Sequence, residues 1–130
     1  MQATPAPGRP GKSLYDDTLV VILSEFGRTW TQGKDQSSVE GWSFPDDHHN
    51  YTSVILSGGN AAPNRQIGNF DLAPRVTGQK VTVREEGGQV VERIPRSADV
   101  VATICDAFGM TMGSDFFIPG GYGVIAGATV

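Results

Sequence analysis

The sequence predicts an α/β fold, because two short apolar strands, a valine-rich hairpin and one amphipathic helix follow one another along the chain. The chain has 130 residues, of which 38% are hydrophobic and 18% are charged. A chain of this size can bury about two-thirds of its unfolded surface in one core. We therefore expect a single folded domain.

The first thirteen residues, MQATPAPGRPGKS, contain three prolines, two glycines and almost no large apolar side chain. Such a segment buries too little surface to offset the entropy lost on ordering. It also lacks the apolar stretch of a signal peptide. We expect a disordered lead-in over residues 1–13 and a folded part over residues 14–130.

Composition excludes several classes of protein. The net charge is −4 and no basic cluster occurs, so a nucleic-acid partner is not expected. No apolar run reaches the roughly 18 residues that a membrane span needs. Cys105 is the only cysteine, which excludes an internal disulfide, and its place in a predicted helix favours a buried thiol.

The two predicted strands are uninterrupted apolar runs. The first covers Thr18 to Ser24 and the second lies within residues 52–59, TSVILSGG. Runs without polar alternation indicate strands that are buried on both faces, with ligands bound near their carboxyl ends. The polar segment between them, residues 27–50, is typical of a long active-site loop. We expect both strands in one central sheet.

A hairpin is predicted over residues 80–94, with Gly87-Gly88 as a two-residue turn. In that register neither face of the hairpin is cleanly apolar, so we expect a small β-hairpin flap outside the core. The turn sets these residues opposite one another: Val81 and Ile94, Thr82 and Arg93, Val83 and Glu92.

Residues 97–110, SADVVATICDAFGM, predict one strong helix. Ser97 is a suitable N-cap, Asp99 suits the positive end of the helix dipole, and Gly109 suits the left-handed position after the last turn. The helix is expected to pack on both strands through a face spaced at helical intervals. That face is Val100, Val101, Ile104, Ala107 and Phe108. The strand side of the expected core is Leu19, Val21, Ile22, Val54, Ile55 and Leu56.

The candidate site lies between Glu25 and His49, and both histidines of the protein fall in the segment FPDDHHN, residues 44–50. Imidazole and carboxylate groups together are typical ligands of transition metals. We expect a divalent metal ion, zinc, manganese or calcium. The candidate ligands are Glu25, Asp47, His48 and His49. Adjacent strand residues point to opposite sides, so one histidine at most should face a given ion. A solvated polar turn is the alternative.

Arg28 follows the first strand and is the candidate anion-binding residue. Its guanidinium group can grip phosphate or sulfate in a bidentate manner. The alternative is a surface ion pair between Glu25 and Arg28, worth under about 1 kcal/mol. Position at the carboxyl end of a strand favours the functional interpretation.

Several segments together resemble a known family. They are YDDTLVVILSEFGRT, DDHHNYTSVILSGG, IGNFD, the predicted helix and FFIPGGYG, spanning about residues 13–130. The sequence is similar to the carboxyl-terminal part of an uncharacterised bacterial family, the domain-of-unknown-function family 1501, related to sulfatases and alkaline phosphatases. The most specific element of the resemblance is S-E-F-G-R-T followed later by D-H.

The resemblance implies a partial α/β/α sandwich of the alkaline-phosphatase-like type, with one or two metal ions at the carboxyl ends of central parallel strands. Glu25-Phe26-Gly27 occupies the place of a D-H-G metal motif, and Asp47-His48 that of a later histidine. Phe26 cannot bind a metal, and the family's upstream Ser, Thr or Cys nucleophile has no counterpart here.

We therefore expect the carboxyl-terminal portion of a metal-dependent hydrolase-like protein that acts on small anionic esters of phosphate or sulfate. As an isolated chain it should be inactive, with no catalytic nucleophile of its own. Export in bacteria follows if the family pattern holds, and uncovered apolar strands make self-association possible. The alternative is a noncatalytic module that binds a protein or a glycan and retains a degenerate metal site.

Overall fold

The computed structural model describes residues 1–24, 51–71 and 77–130, together with the backbone of residues 27–28 and 48–49. This part of the chain is mixed α/β, with small antiparallel sheets and one α-helix. The strands are β1 (Val20–Leu23), β2 (Gly27–Arg28), β3 (His48–His49), β4 (Val54–Ser57), β5 (Phe70–Asp71), β6 (Thr77–Gly78), β7 (Val81–Glu85), β8 (Val90–Arg93) and β9 (Gly123–Ile125); the helix is α1 (Ser97–Ala107).

The two predicted apolar strands are present as β1 and β4, and they pair with each other in antiparallel orientation, whereas the resemblance implied parallel strands. The expectation that both faces of these strands are buried is wrong. Ile22, Leu23 and Ile55 keep 56%, 59% and 57% of their surface exposed. Within the described residues these strands form a two-stranded ribbon, so part of their apolar surface stays exposed, while Val20, Val21, Val54 and Leu56 are half-buried.

The core lies between α1 and a three-stranded antiparallel sheet in the order β8-β7-β9. The expected core between the helix and the first two strands is therefore wrong. Val101 and Phe108, which were assigned to it, are exposed. The buried apolar residues are Ala6, Val81, Val83, Ala102, Ala107, Tyr122 and Val124.

The predicted helix is confirmed, with small shifts at its ends and a rotation of its buried face. Arg96 is the N-cap in place of Ser97, because the Asp99 carboxylate reaches back to accept the Arg96 N–H at 2.7 Å. Gly109 ends the helix as expected, with φ at +73°. The buried helical residues are Asp99, Ala102, Thr103 and Ala107, so polar groups share the inward face.

The predicted hairpin is also present as β7 and β8, but its register and its role differ from the expectation. The turn contains three residues, Glu86–Gly88, and the Glu85 N–H donates to the Gln89 carbonyl at 2.7 Å. The additional turn residue moves the pairing by one position, which exchanges the faces of one strand. Val83 now lies opposite Val91 and is fully buried. The hairpin is part of the core and is no flap.

Hydrogen bonds join the two ends of the chain to the rest of the fold. The Leu14 N–H donates to the Thr4 carbonyl at 2.7 Å, and whether residues 1–13 are disordered in solution stays a prediction. At the other end, the Val130 N–H donates to the Asn60 carbonyl at 2.9 Å, and the Asn60 amide donates to the Ala107 carbonyl at 2.7 Å. The segment after β4 is thereby attached to the end of α1.

No helix within residues 1–24, 51–71 and 77–130 is long and apolar enough to cross a membrane.

Candidate functional site

The structure brings the two halves of the predicted site together through their backbones. β2 and β3 pair in antiparallel orientation, with Gly27 opposite His49 and Arg28 opposite His48. Residues directly opposite each other in such a ladder lie about 4.5 to 5.5 Å apart at their Cα atoms. The segment after the first strand and the histidine segment are therefore neighbours, although 19 positions separate Arg28 from Asp47 in the sequence.

The remaining predicted ligands, Glu25 and Asp47, lie outside the described residues, as does Phe26. His48 and His49 are adjacent in β3, so their positions fall on opposite faces of the ribbon. The position of His48 shares a face with that of Arg28, whereas His49 shares a face with Gly27.

A pair of hydroxyl groups lies next to this ribbon. The Ser24 and Thr52 side chains are hydrogen bonded at 2.6 Å between Oγ and Oγ1, and both residues are exposed. Ser24 directly follows β1, and in the sequence it is an isolated serine without a nucleophile motif. No local sequence pattern links Ser24 to Thr52, because 28 positions separate the two residues.

No group of three or more His, Cys, Asp or Glu side chains that could hold a metal ion occurs among the residues whose side chains are described. The candidate metal ligands are not among those residues, so their arrangement stays a prediction. Cys105 lies on α1 and is half-buried, where a buried thiol was expected.

Asp99 is a buried carboxylate that sequence reasoning treated only as a helix-dipole residue. It is fully buried and accepts hydrogen bonds from both terminal nitrogens of Arg93. The distance from Arg93 Nη2 to Asp99 Oδ1 is 2.6 Å. The N–H groups of Arg96 and Gly123 add hydrogen bonds of 2.7 and 2.9 Å. The carboxylate therefore joins the hairpin, the start of α1 and the start of β9.

These partners determine the charge state of Asp99. Burial alone would raise the pKa of its carboxyl group. The Arg93 hydrogen bonds, the Arg96 and Gly123 N–H groups and the positive charge of Arg93 outweigh burial and hold the pKa below its usual value. In turn, Asp99 raises the pKa of Arg93. Every oxygen of Asp99 is engaged, so this cluster is structural.

A shallow cleft of about 310 Å³ lies between the hairpin turn and the end of α1. Arg84 and Asp106 lie in its lining and form an ion pair of 2.9 Å, and the Asp106 carboxylate also accepts the Thr129 hydroxyl at 2.9 Å. These charged groups already satisfy one another across the cleft. Its other lining residues are Gly87, Gly88, Gly109, Met110, Thr111 and Met112.

Comparison with protein families adds one finding. Residues 11–122 match the model of a family described as Protein of unknown function (DUF1501). The chain belongs to the DUF1501 family. The matched range of this DUF1501 chain includes every candidate site residue, α1 and the hairpin. No curated protein and no solved structure matches the chain.

Proposed function

We propose that this DUF1501 chain is the carboxyl-terminal portion of a metal-dependent hydrolase-like protein that acts on phosphate or sulfate esters. The observation that carries the proposal is the antiparallel pairing of β2 with β3, which sets Arg28 opposite His48. Two segments that are candidates on chemical grounds alone are neighbours in space. A solvated polar turn does not require such a pairing.

The residue types suit the proposed chemistry. The guanidinium group of Arg28 would hold two oxygens of a tetrahedral anion and orient the ester. The His48 imidazole, with the Glu25 and Asp47 carboxylates, is a donor set that fits zinc or manganese better than calcium, which prefers oxygen ligands alone. A bound divalent ion would stabilise negative charge on the ester oxygens.

The alkaline-phosphatase-like sandwich is part of the same proposal. Its support is the exposed apolar surface of β1 and β4, at Ile22, Leu23 and Ile55. Ile22 and Leu23 are adjacent in β1 and fall on opposite faces of the ribbon, so a covering layer on each face would be needed to bury them. We infer that additional elements of the whole protein supply those layers.

Calorimetric titration tests the site. We expect weak binding of zinc or manganese by the chain, and binding of inorganic phosphate in the presence of the metal. His48→Ala should weaken both by about tenfold or more, and Arg28→Ala should weaken phosphate binding only. His49→Ala is the matched control and should change neither. Equal affinities in the natural chain and in His48→Ala would contradict the assignment.

The chain alone should not hydrolyse aryl phosphates or aryl sulfates at an enzymatic rate, because covalent catalysis requires an activated hydroxyl or thiol. Cys105, the only thiol of the chain, is half-buried on α1. Metal-dependent turnover that disappears in His48→Ala would show that the chain is a complete enzyme and would contradict the fragment interpretation.

A noncatalytic protein-binding module is the second candidate. The specific observation that favours it is the same exposed ribbon, since large apolar patches on a protein surface mark interaction sites. Under this interpretation a partner protein or a second copy of the chain covers β1 and β4, and the metal site is degenerate. Sedimentation velocity of the isolated chain tests whether a second copy covers the ribbon.

A further inference from the structure

The pairs β1–β4 and β2–β3 follow one another along the same two segments of chain, but their registers differ by one residue. Leu23 lies opposite Val54, and Gly27 lies opposite His49. From Leu23 to Gly27 the first segment spans four positions, whereas from Val54 back to His49 the second segment spans five. A single extra residue on one of two antiparallel strands is a β-bulge.

The hydroxyl pair shows where the extra residue lies. Ser24 is four positions before Arg28, and Thr52 is four positions after His48, so the Ser24–Thr52 contact follows the register of β2–β3. An unbroken continuation of β1–β4 would set Ser24 opposite Ser53 instead. Thr52 would then lie on the other face, out of reach of Ser24. In a ladder that runs on from one pair to the other, the extra residue would be Ser53.

We propose that Ser53 is a register-setting bulge residue that places His48, and not His49, beside Arg28 in the candidate site. Without the bulge, the β1–β4 register would continue and set Arg28 opposite His49. A slip of one residue moves every position of a strand to the other face, so the bulge decides which histidine position shares a face with that of Arg28. Ser53 is a positioning residue, and bulges are frequent next to active sites.

The Ser24–Thr52 hydrogen bond stabilises this arrangement. Hydroxyl pairs across an antiparallel ladder are stabilising. Their loss would favour the unbroken register. The register is independent of the proposed function, whereas the use of His48 in anion binding rests on it.

Disulfide trapping tests the register without any ligand. In a Cys105→Ala background, Arg28→Cys is combined either with His48→Cys or with His49→Cys, and the disulfide fraction after mild oxidation is measured by mass spectrometry. Opposite positions bring Cα atoms within disulfide range, whereas side chains on different faces diverge. We expect the 28–48 pair to form a disulfide and the 28–49 pair to remain largely reduced. Preferential formation of the 28–49 disulfide would overturn the inference.

Two length variants sharpen the test. Insertion of a threonine between Thr52 and Ser53 retains the bulge and a hydroxyl partner for Ser24, and it should transfer disulfide formation to the 28–49 pair. Deletion of Ser53 makes the ribbon regular and should retain the 28–48 pair. If the ribbon of the natural chain had no bulge, the natural chain would form the 28–49 disulfide, and deletion of Ser53 would change it to the 28–48 disulfide. Circular dichroism and thermal melting confirm that each variant folds.

Phosphate binding in the presence of zinc separates this inference from the proposed function. In the natural-length chain, His48→Ala should weaken phosphate binding by at least tenfold more than His49→Ala, and in the insertion variant the order should reverse. If the disulfides follow the expected register but the order of the two alanine variants does not reverse, the anion-binding role is contradicted and the bulge is not. Disulfides that contradict the register would overturn the inference itself.

Discussion

Asp99 shows how a single buried charge holds three elements together. Its carboxylate accepts four hydrogen bonds, two from Arg93 and one each from the backbone N–H groups of Arg96 and Gly123. Arg93 also donates to Glu85 at 3.1 Å. A buried carboxylate is expensive to desolvate, and only this complete set of partners offsets that cost.

Removal of the charge on Asp99 should therefore be strongly destabilising. We expect Asp99→Asn to lower the free energy of unfolding by about 3 to 5 kcal/mol, because it leaves the Arg93 guanidinium without its main partner. The control is Asp17→Asn, which breaks the exposed Arg9–Asp17 pair and should cost less than about 1 kcal/mol. Urea denaturation monitored by circular dichroism measures both, and equal costs would contradict the assigned role.

Asp99 also predicts how stability depends on pH. Its pKa is lower in the folded chain than in the unfolded chain, where it is about 3.9. The stability that Asp99 contributes is therefore present above about pH 4 and lost as pH falls through the folded value. Thermal melts between neutral pH and strongly acidic pH should show this loss in the natural chain and a weaker one in Asp99→Asn. Parallel curves would argue against the lowered pKa.

The hairpin and the helix show how an element can be predicted correctly and placed wrongly. Both are present where the sequence indicates them, yet a one-residue change in the turn makes the hairpin part of the core. In α1, the apolar stripe of Val101 and Phe108 lies outside, because Asp99 and Thr103 find hydrogen-bond partners inside. Such partners come from distant parts of the chain.

The register of the hairpin predicts a difference between two valines. Val83→Thr should destabilise the protein by roughly 1 to 3 kcal/mol, because it buries a hydroxyl group in an apolar site. Val90→Thr changes an exposed residue of the same hairpin and should stay within about 0.5 kcal/mol. Chemical denaturation of the two variants decides, and two neutral results would restore the flap interpretation.

The orientation of α1 predicts a similar contrast between neighbours. Ala102 is fully buried against Tyr122 and Val124, so Ala102→Leu should cost about 1 to 3 kcal/mol through overpacking. Val101→Leu, one position away on the exposed side, should be nearly neutral. The reverse order in thermal or chemical unfolding would mean that the stripe expected from the sequence is the buried one.

At the scale of the whole molecule, the ribbon of β1 and β4 is the least covered part of the described fold. A two-stranded ribbon is marginally stable by itself, and unpaired apolar strands tend to associate. The Tyr15 hydroxyl bonds the Ser57 hydroxyl at 2.6 Å and anchors the end of the ribbon nearest the core. The other end leads to the candidate site.

Exposure of the ribbon predicts self-association of the isolated chain. Sedimentation velocity should show a mass that rises with concentration, and Leu23→Ser or Ile55→Ser should reduce that rise. Val90→Ser, which removes an equally exposed apolar side chain on β8, is the control and should have no effect. A monomer at every concentration would contradict self-association and leave only a different protein as the partner of the second candidate function.

Local sequence was sufficient for features that depend on neighbours in the chain. The strands β1 and β4, the hairpin, the helix and its end at Gly109 all follow from side-chain shape, periodicity and the conformational freedom of glycine. Family membership also follows from short motifs, and the match over residues 11–122 confirms it. The candidate chemistry of Arg28 and His48 was identifiable from residue type and position alone.

Tertiary structure decided everything that depends on which distant groups meet. The buried face of α1 was set by Arg93, Gly123 and the other partners of Asp99 and Thr103, since a polar group is buried where its hydrogen bonds are satisfied. The pairing of Arg28 with His48 was set by a ladder between segments about 20 residues apart. Periodicity in a sequence reports that a strand or helix has an apolar face, but the pairing energy that selects its neighbour and register arises only when remote segments come together.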